Sequence, residues 1–150
     1  MRVVLQVVTD ASVTINQEKV AHIDKGFLCF VGFTEGDDLN LAKKMADKIC
    51  KLRVFPDENG KTNRSLNDVG GKILSVSQFT LYASVKEGNR PSFTNCLNKD
   101  IAACLYEDFF TYLKSVAPGA ESGVFHADMD VGLINNGPFT LILDSKELFQ

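Results

Sequence analysis

The feature that most limits the fold is the close succession of short, β-rich runs in the first third of the chain. Turn residues separate these runs, which are Arg2 to Val8, Ala11 to Ile15, Lys19 to Ile23 and Gly26 to Phe33. Runs of this length, rich in Val, Ile and Phe, are typical of strands that are joined by hairpins. The first third of the chain therefore predicts neighbouring antiparallel strands.

Two later segments have the apolar spacing of amphipathic helices. The first opens at Asp37 and Asp38, and the second starts near Asn98 or Asp100 and ends at Pro118-Gly119. The apolar residues of both recur at the helical period. They are Ala42, Met45, Ala46, Ile49 and Leu52 in the first segment, and Ile101, Cys104, Leu105, Phe109, Tyr112, Leu113 and Val116 in the second. Each helix is predicted to pack by one face.

The remaining segments add strands to this pattern. One strand is predicted over Ile73 to Tyr82, and two closing strands, about Gly123 to Ile134 and Phe139 to Leu143, flank Asn135 to Pro138. Such an order predicts an α/β fold with a mixed, largely antiparallel sheet, curved or barrel-like, that is covered by two main helices. No repeat or linker divides the sequence, so residues 1–150 are predicted to form a single domain.

Charge and cysteine content exclude several classes of protein. The formal net charge of −3 is unsuited to a general nucleic-acid coat, so any RNA contact must be local, as in the basic loop from Lys86 to Arg90. The four cysteines form no C-x-x-C pair and the two histidines lie far apart, so neither a metal site nor a disulfide framework is predicted. Cys29 and Cys104 lie among apolar residues and are predicted to be buried.

The sequence also bears on location. Its longest apolar run, Gly26 to Phe33, is far shorter than the roughly 20 residues that cross a bilayer. The apolar start, Val3 to Val8, lacks the features of a secretory signal. A cytoplasmic protein with no membrane partner is therefore expected.

Two segments are unusual enough to carry chemistry. In the predicted strand Ile73 to Tyr82, the period of two places Gln78 and Thr80 on one face, and burying such groups unpaired costs about 1–3 kcal/mol each. They need partners or a ligand, although a strand that leaves the core for solvent also fits. The second segment, Asn135 to Thr140, contains Asn-Gly and Gly-Pro, which are common turn dipeptides.

Taken together, these segments resemble the paired signatures of the D-aminoacyl-tRNA deacylase family. We call Ser77-Gln78-Phe79-Thr80-Leu81 the first motif and Asn135-x-Gly137-Pro138-x-Thr140 the second motif. The resemblance covers nearly the whole chain, from the Met1-Arg2-Val3-Val4-Leu5-Gln6 start through Gly70-Gly71, Arg90-Pro91-Ser92-Phe93 and Ala127-Asp128-Met129 to Asp144.

The resemblance implies an enzyme that hydrolyses the ester bond of D-aminoacyl-tRNA, and of Gly-tRNA, and releases free D-amino acid and tRNA. This reaction is chiral proofreading in translation. The resemblance also implies a homodimer; no cofactor and no metal ligand is assigned, and the sequence leaves a metal requirement open. The first motif of one subunit and the second motif of the other would form one pocket for the 3′ end of charged tRNA.

Residue roles follow from the same resemblance. The catalytic residues would be Ser77, Gln78, Phe79 and Thr80, the substrate-binding residues would be Met129, Asn135, Gly137, Pro138 and Thr140, and the RNA-binding residues would be Lys86 and Arg90. A Gly-cis-Pro loop would screen chirality. Because the motif places no base beside Thr80, orientation of the ester and main-chain donors are favoured over a Thr80 nucleophile.

Three positions depart from the family pattern. Val7 stands where the family has an arginine that braces the Gly-Pro loop, and His126 stands where a small residue is common. Phe139 replaces a valine, as in a related animal-type branch whose Gly-Pro bond is trans and whose selectivity is relaxed. Two alternatives stay open. One is a relaxed deacylase that removes misplaced L-amino acids. The other, suggested by replication-linked members of the family and by the basic loop around Lys86 and Arg90, is a non-catalytic dimer that binds nucleic acid.

Overall fold

One long strand, β1 (Arg2–Ile15), organises the computed structural model, which describes all 150 residues from Met1 to Gln150. The other strands are β2 Glu18–Ile23, β3 Gly26–Gly32, β4 Arg53–Pro56, β5 Thr62–Ser65, β6 Lys72–Ser77, β7 Glu121–Ser122 and β8 Asp130–Asp144. The helices are α1 Leu39–Lys51, α2 Lys99–Val116 and α3 Ser145–Phe149, and Phe79–Tyr82 forms a 3-10 turn. None of the three helices has the length and hydropathy of a membrane-spanning segment.

The main sheet mixes antiparallel and parallel pairs. β1 pairs antiparallel with β2, with β3 and with β8, whereas β6 runs parallel to both β3 and β7. A separate hairpin joins β4 to β5. The sheet is curved and nearly closed, which confirms the prediction of a mixed, largely antiparallel α/β fold.

Two buried clusters cover the two faces of this sheet. The larger one packs α1 and α2 against the face that bears Phe27, and the ring of Phe27 stacks on Phe55 with centroids 5.2 Å apart. The smaller cluster includes Leu28 and Leu74 on the other face. Since successive strand residues point to opposite faces, the continuous apolar run of β3 supplies both clusters.

The predicted helices begin where the sequence placed their caps. The Asp38 carboxylate accepts a hydrogen bond from Leu41 N–H at 2.8 Å, and the Asn98 side chain accepts from Asp100 and Ile101 N–H. Such side-chain acceptors satisfy the amides that a helix start leaves without partners. The predicted burial of Cys104 is wrong, because the buried arc of α2 runs through Ala102, Leu105, Tyr106, Phe109 and Leu113 and leaves Ile101 and Cys104 exposed.

Three strand boundaries differ from prediction. The runs Arg2 to Val8 and Ala11 to Ile15 belong to the single strand β1. The predicted strand Ile73 to Tyr82 ends at Ser77, where the chain enters the 3-10 turn, so Gln78 and Thr80 do not share a strand face. The closing strands are one strand, β8, which begins only at Asp130 because residues 124–127 form a turn, with Ala127 N–H bonded to Val124 O.

Candidate functional site

The first motif lies where β6 ends and the chain turns back on itself. Gln78 N–H donates to Val31 O at 2.7 Å as the last ladder bond, and Leu81 N–H then donates to Gln78 O at 3.3 Å. The turn packs directly on Gly32, since a Cβ there would lie 2.8 Å from Gln78 O. Only glycine at position 32 allows this close approach.

A cavity of about 410 Å³ opens beside this turn. Its wall includes Ser77, Gln78 and Phe79 of the first motif together with Met129. The remaining lining residues come from the end of β3, from β6, from the start of α2 and the residue pair before it, from the segment before β8 and from the start of β8. They are Val31, Gly32, Phe33, Val76, Leu97, Ala102, Phe125, His126, Ala127, Asp128 and Val131. The wall is therefore mostly apolar, with a few polar groups.

The polar groups of the first motif suit positioning better than proton transfer. Gln78 Nε2 donates to Thr80 Oγ1, which orients both side chains of the first motif. Thr80 is exposed, and no histidine or carboxylate forms a hydrogen bond with its hydroxyl. The ionisable side chains that line the cavity are His126 and Asp128. The first motif itself thus lacks a base for nucleophilic catalysis, as the sequence predicts.

His126 occupies a turn position that usually favours glycine. Its φ is +66°, in the left-handed region that few non-glycine residues adopt, although histidine is among those enriched there. The neighbouring Phe125 ring packs 5.8 Å from Tyr106 and anchors the turn. The side chain of His126 is exposed on the cavity wall, a place that the sequence indicated only through the unusual residue type.

Arg2 holds the C-terminal end of the first-motif turn. Its Nη1 donates to Leu81 O at 2.7 Å, while Nε and Nη2 donate to the Asp144 carboxylate at 3.1 and 2.9 Å. The guanidinium carbon also lies 4.8 Å from the centroid of the Tyr82 ring. The sequence included Arg2 and Asp144 only as the two ends of the family resemblance, because strand pairing brings them together.

The electrostatics around this contact follow from partial burial. Burial alone raises the pKa of the Asp144 carboxyl, but hydrogen bonds from Lys146 N–H and from Arg2 outweigh it and hold the pKa below its usual value. Burial, followed by the charges of Asp37 and Asp144, raises the pKa of the Tyr82 hydroxyl, which has no hydrogen-bond partner. Asp144 is therefore a carboxylate at neutral pH and a full partner for Arg2.

Two further contacts hold Phe79 of the first motif. Its carbonyl accepts a hydrogen bond from the Cys96 thiol at 3.3 Å, and its ring meets the Phe93 ring edge to face with centroids 5.2 Å apart. Partial burial raises the pKa of Cys96, which keeps the thiol protonated as a donor. Phe79 is nevertheless 52% exposed.

The second motif is a bulge in β8 and not a turn between two strands. Gln6 pairs with Thr140 and Val8 with Asn135, so one residue of β1, Val7, lies opposite residues 136–139. Asn135 Nδ2 bridges the base of the bulge by donating to Val7 O and to Phe139 O, both at 3.0 Å. A β-bulge of this kind re-aims the backbone without ending the strand.

The tip of the bulge is exposed. The Gly137–Pro138 peptide bond is cis, and Gly137 has a φ of +136°. A Cβ on Gly137 would lie 2.9 Å from Phe139 N, so both conformation and space require glycine. At the far side of the bulge, Gln6 Nε2 donates to Thr140 Oγ1 at 3.1 Å.

The structure groups only part of the predicted site within one chain. Ser77, Gln78, Phe79 and Met129 line the cavity, and Thr80 is joined to them through Gln78. The lining of the cavity includes none of the other predicted residues, which are Lys86, Arg90, Asn135, Gly137, Pro138 and Thr140. Lys86 and Arg90 lie exposed in a loop that the paired bonds between Ser84 and Ser92 close.

One ionisable cluster lies outside the cavity. Asp10, His22 and Asp24 place potential metal-ligand atoms within 4.8 Å of one another. His22 Nε2 lies 2.6 Å from Asp10 Oδ1; Asp24 is largely exposed, whereas His22 and Asp10 are partly exposed. The pairing of β1 with β2 creates this cluster, so the wide spacing of the residues along the sequence conceals it.

The comparisons with known proteins agree with the motifs. The family model described as D-Tyr-tRNA(Tyr) deacylase matches residues 4–144. A D-aminoacyl-tRNA deacylase of Lactobacillus gasseri is 55% identical over 96% of this chain and 99% of its own length. One from Dictyoglomus turgidum is 47% identical over 99% of this chain and 95% of its own length.

Solved structures with the same fold cover nearly the whole chain. The c-Myc DNA Unwinding Element Binding Protein has a TM-score of 0.90 at 37% identity, over 96% of this chain and 98% of that one. A probable eukaryotic D-amino acid tRNA deacylase has a TM-score of 0.83 at 19% identity, over 95% and 97%, which bears on the fold alone. With a family model that spans both motifs and relatives of this identity, the chain belongs to the D-Tyr-tRNA(Tyr) deacylase family.

Proposed function

We propose that this protein hydrolyses the ester bond of D-aminoacyl-tRNA, and of Gly-tRNA, and releases free D-amino acid and tRNA. The observation that carries the proposal is the first-motif turn in the wall of a cavity of about 410 Å³, a size within the range of small-molecule sites. Family membership supports the same reaction. The reaction serves chiral proofreading in the cytoplasm, and residues 1–150 act as one domain.

The chemistry needs little beyond orientation. An aminoacyl ester is already labile, because its α-amine and the neighbouring ribose hydroxyl activate the carbonyl. The first amides of a helical turn lack partners within that turn, so Phe79 and Thr80 N–H are positioned to donate to the developing oxyanion. One donor of this kind is worth about 10²–10³ in rate. Gln78 orients the ester, and Thr80 does not act as a nucleophile.

The active unit in this proposal is a homodimer. The second motif lies outside the cavity of its own chain, which supports a pocket completed by the partner's second motif. Phe79, Ile134 and Ile142 are each more than half exposed, and a dimer interface that covers them would remove this apolar surface from water. A twofold dimer then contains two equivalent shared pockets.

The basic loop supplies the contact with RNA. Lys86 and Arg90 follow the first-motif turn along the chain, and both are exposed. Their charges suit the phosphates next to the 3′ end of tRNA. Binding should therefore weaken with salt, by less than for proteins with many phosphate contacts.

Chirality is screened by exclusion in this proposal. The backbone at Gly137 and Pro138 holds the α-amine, so an L side chain collides with it while a D side chain points away. Glycine has no side chain to collide. D-Ala-tRNA and Gly-tRNA should both be cleaved while L-Ala-tRNA resists, and resistance of Gly-tRNA would show that the pocket binds the D side chain.

A direct test uses purified protein with D-Tyr-tRNA, L-Tyr-tRNA and duplex DNA, and Gln78→Ala as the control variant. We expect hydrolysis of D-Tyr-tRNA alone, with Gln78→Ala strongly impaired. Equal cleavage of L-Tyr-tRNA would identify a relaxed deacylase. Tight binding of duplex DNA without hydrolysis of either ester would instead identify a nucleic-acid-binding protein.

A further inference from the structure

Arg2 lies outside both motifs, yet it contacts three of the elements that surround the candidate site. Strand pairing places its backbone between Gly32 of β3 on one side and Asp144 of β8 on the other. Gly32 is the residue on which the first-motif turn packs. The side chain of Arg2 therefore starts next to the floor of the turn and ends on the turn itself.

Each donor group of Arg2 has a defined acceptor. Nη1 holds Leu81 O at 2.7 Å, while Nε and Nη2 hold one oxygen of Asp144. Asp144 is fixed in turn, because its other oxygen accepts from Lys146 N–H at 3.0 Å at the start of α3. A guanidinium can serve two acceptors at once in a rigid plane, whereas the ammonium of lysine is a point charge on a flexible stem.

The hydrogen bond from Arg2 to Leu81 O is important for function because of its place in the first motif. Leu81 directly follows Thr80, and its amide closes the turn on Gln78 O. A shift of the Leu81 carbonyl therefore moves the Phe79 and Thr80 amides and the side chain of Gln78 together. A displacement of about 1 Å at such a site can cost as much as a hundredfold in rate.

If Arg2 served stability alone, its loss would lower activity only as far as it lowered the stability of the fold. The Arg2 and Asp144 side chains are 37% and 14% exposed, so breaking the pair leaves a largely buried carboxylate without its partner and costs some stability. The same corner of the fold has other ties, since the Met1 amino group contacts Asp37 at 2.6 Å and Ser145 Oγ at 2.9 Å. Loss of the Arg2 contacts should consequently leave the fold intact while freeing the turn.

We infer that Arg2 is a positioning residue, which holds the first-motif turn in the orientation that presents Gln78 and the Phe79 and Thr80 amides to the ester. This inference rests on the proposed deacylase function for its kinetic consequence. The geometric part, that Arg2 orders the turn, stands on the contacts alone. The two parts can therefore be measured separately.

The experiment compares Arg2→Ala and Arg2→Lys with wild type, and Arg64→Ala is the matched control. Arg64 also forms an arginine–carboxylate pair, with Glu58 at 2.8 Å, but it lies on β5 and away from the cavity. We expect kcat on D-Tyr-tRNA to fall between about tenfold and a hundredfold in Arg2→Ala, with KM changed by less than about twofold. Arg2→Lys should recover only part of this loss, and ethylguanidinium, but not urea, should partly restore kcat in Arg2→Ala.

Hydrogen exchange gives the readout that does not depend on activity. The Leu81 and Ala83 amides close the turn, and they should exchange faster in Arg2→Ala but not in Arg64→Ala. Unchanged exchange at these amides would overturn the inference whether or not the protein is a deacylase. A kcat loss that merely follows a lower Tm, or one that Arg64→Ala reproduces, would overturn it as well. If the wild type hydrolyses no ester while exchange behaves as expected, the proposed function fails and the role of Arg2 in ordering the turn is retained.

Discussion

The first-motif turn and the second-motif bulge differ in what surrounds them. The turn is held by its own chain at both ends, through Cys96 at the carbonyl of Phe79 and through Arg2 at the carbonyl of Leu81. The bulge is held at its base, by Asn135 and by the bond from Gln6 to Thr140, and its tip is exposed. A catalytic surface needs a fixed geometry within the chain, whereas a screening loop that serves a neighbouring pocket must project. The difference therefore supports the proposal that the turn of one subunit and the bulge of the other together form the pocket.

The largest expected effect comes from separating the two motifs onto different chains. Gln78→Ala should inactivate the turn, and Gly137→Ala should distort the bulge because its Cβ would meet Phe139. In a mixed dimer of the two variants one pocket regains both intact motifs. Two inactive preparations, dissociated and reassembled together, should recover about one quarter of the wild-type activity.

Light scattering during a dilution series provides the control for assembly. Activity should disappear as the mass falls to that of one chain. Full activity of a monomer, or no recovery in the mixed sample although mixed dimers form, would place both motifs of a working pocket on a single chain.

A smaller effect should follow from loosening the base of the bulge. Asn135→Ala removes the hydrogen bonds to Val7 O and Phe139 O, and two buried or partly buried bonds are worth about 1–3 kcal/mol together. We expect the ratio of D-Ala-tRNA to L-Ala-tRNA cleavage to fall by about tenfold, which corresponds to about 1.4 kcal/mol. The neighbouring exposed residue allows a matched control, Asn136→Ala, which should keep the wild-type ratio. Equal ratios in the two variants would mean that Asn135 does not set the position of the loop.

The buried hydrogen bonds of Tyr106, which lie beneath the first-motif turn, should affect stability and not activity. Tyr106 Oη lies between Ser75 Oγ at 2.9 Å and Ser122 Oγ at 3.0 Å, and Ser75 is fully buried just before the first motif. Tyr106→Phe leaves Ser75 without a partner and should lower the free energy of unfolding by about 1–3 kcal/mol. Denaturant titration measures this loss. The double variant Ser75→Ala/Tyr106→Phe should recover part of it, and a double variant less stable than Tyr106→Phe would contradict the assigned cause.

The smallest effect on activity is expected from removing the Thr80 hydroxyl. Thr80→Ala removes the acceptor for Gln78 Nε2 but no main-chain donor, so activity should stay within about threefold of wild type, less than the effect of losing one oxyanion donor. Steady-state kinetics on D-Tyr-tRNA test this. Complete inactivity with an unchanged circular dichroism spectrum would point to a Thr80 nucleophile.

The fold was predictable from the sequence because its signals are local. Asp38 and Asn98 cap the helices as predicted, and the apolar run of β3 feeds two cores. The end of β6 was not predictable in this way, because the turn after Ser77 depends on Gly32, which is distant along the chain. Alternation of residue types cannot report a contact of that kind.

The same distinction, between local signals and contacts of residues distant along the chain, applies to the candidate site. Its motifs could be found because they are contiguous in sequence, and Gln78 of the first motif lines the cavity. Arg2 and Asp144 escaped notice as functional candidates because they meet only through the pairing of β1 with β8. The shared face proposed for Gln78 and Thr80 was wrong for a strand, yet the two side chains do meet through the tighter geometry of the turn.

The bulge in β8 also has a consequence for protein engineering. On one side of it, Thr140 to Asp144 stay in register with Gln6 to Arg2, and on the other side Asp130 to Ile134 pair with Thr14 to Asp10. Residues 136–139 are thus an insertion between two ladders that are anchored independently. Loops of a different length should therefore be tolerated at this position while the sheet keeps its pairing on both sides.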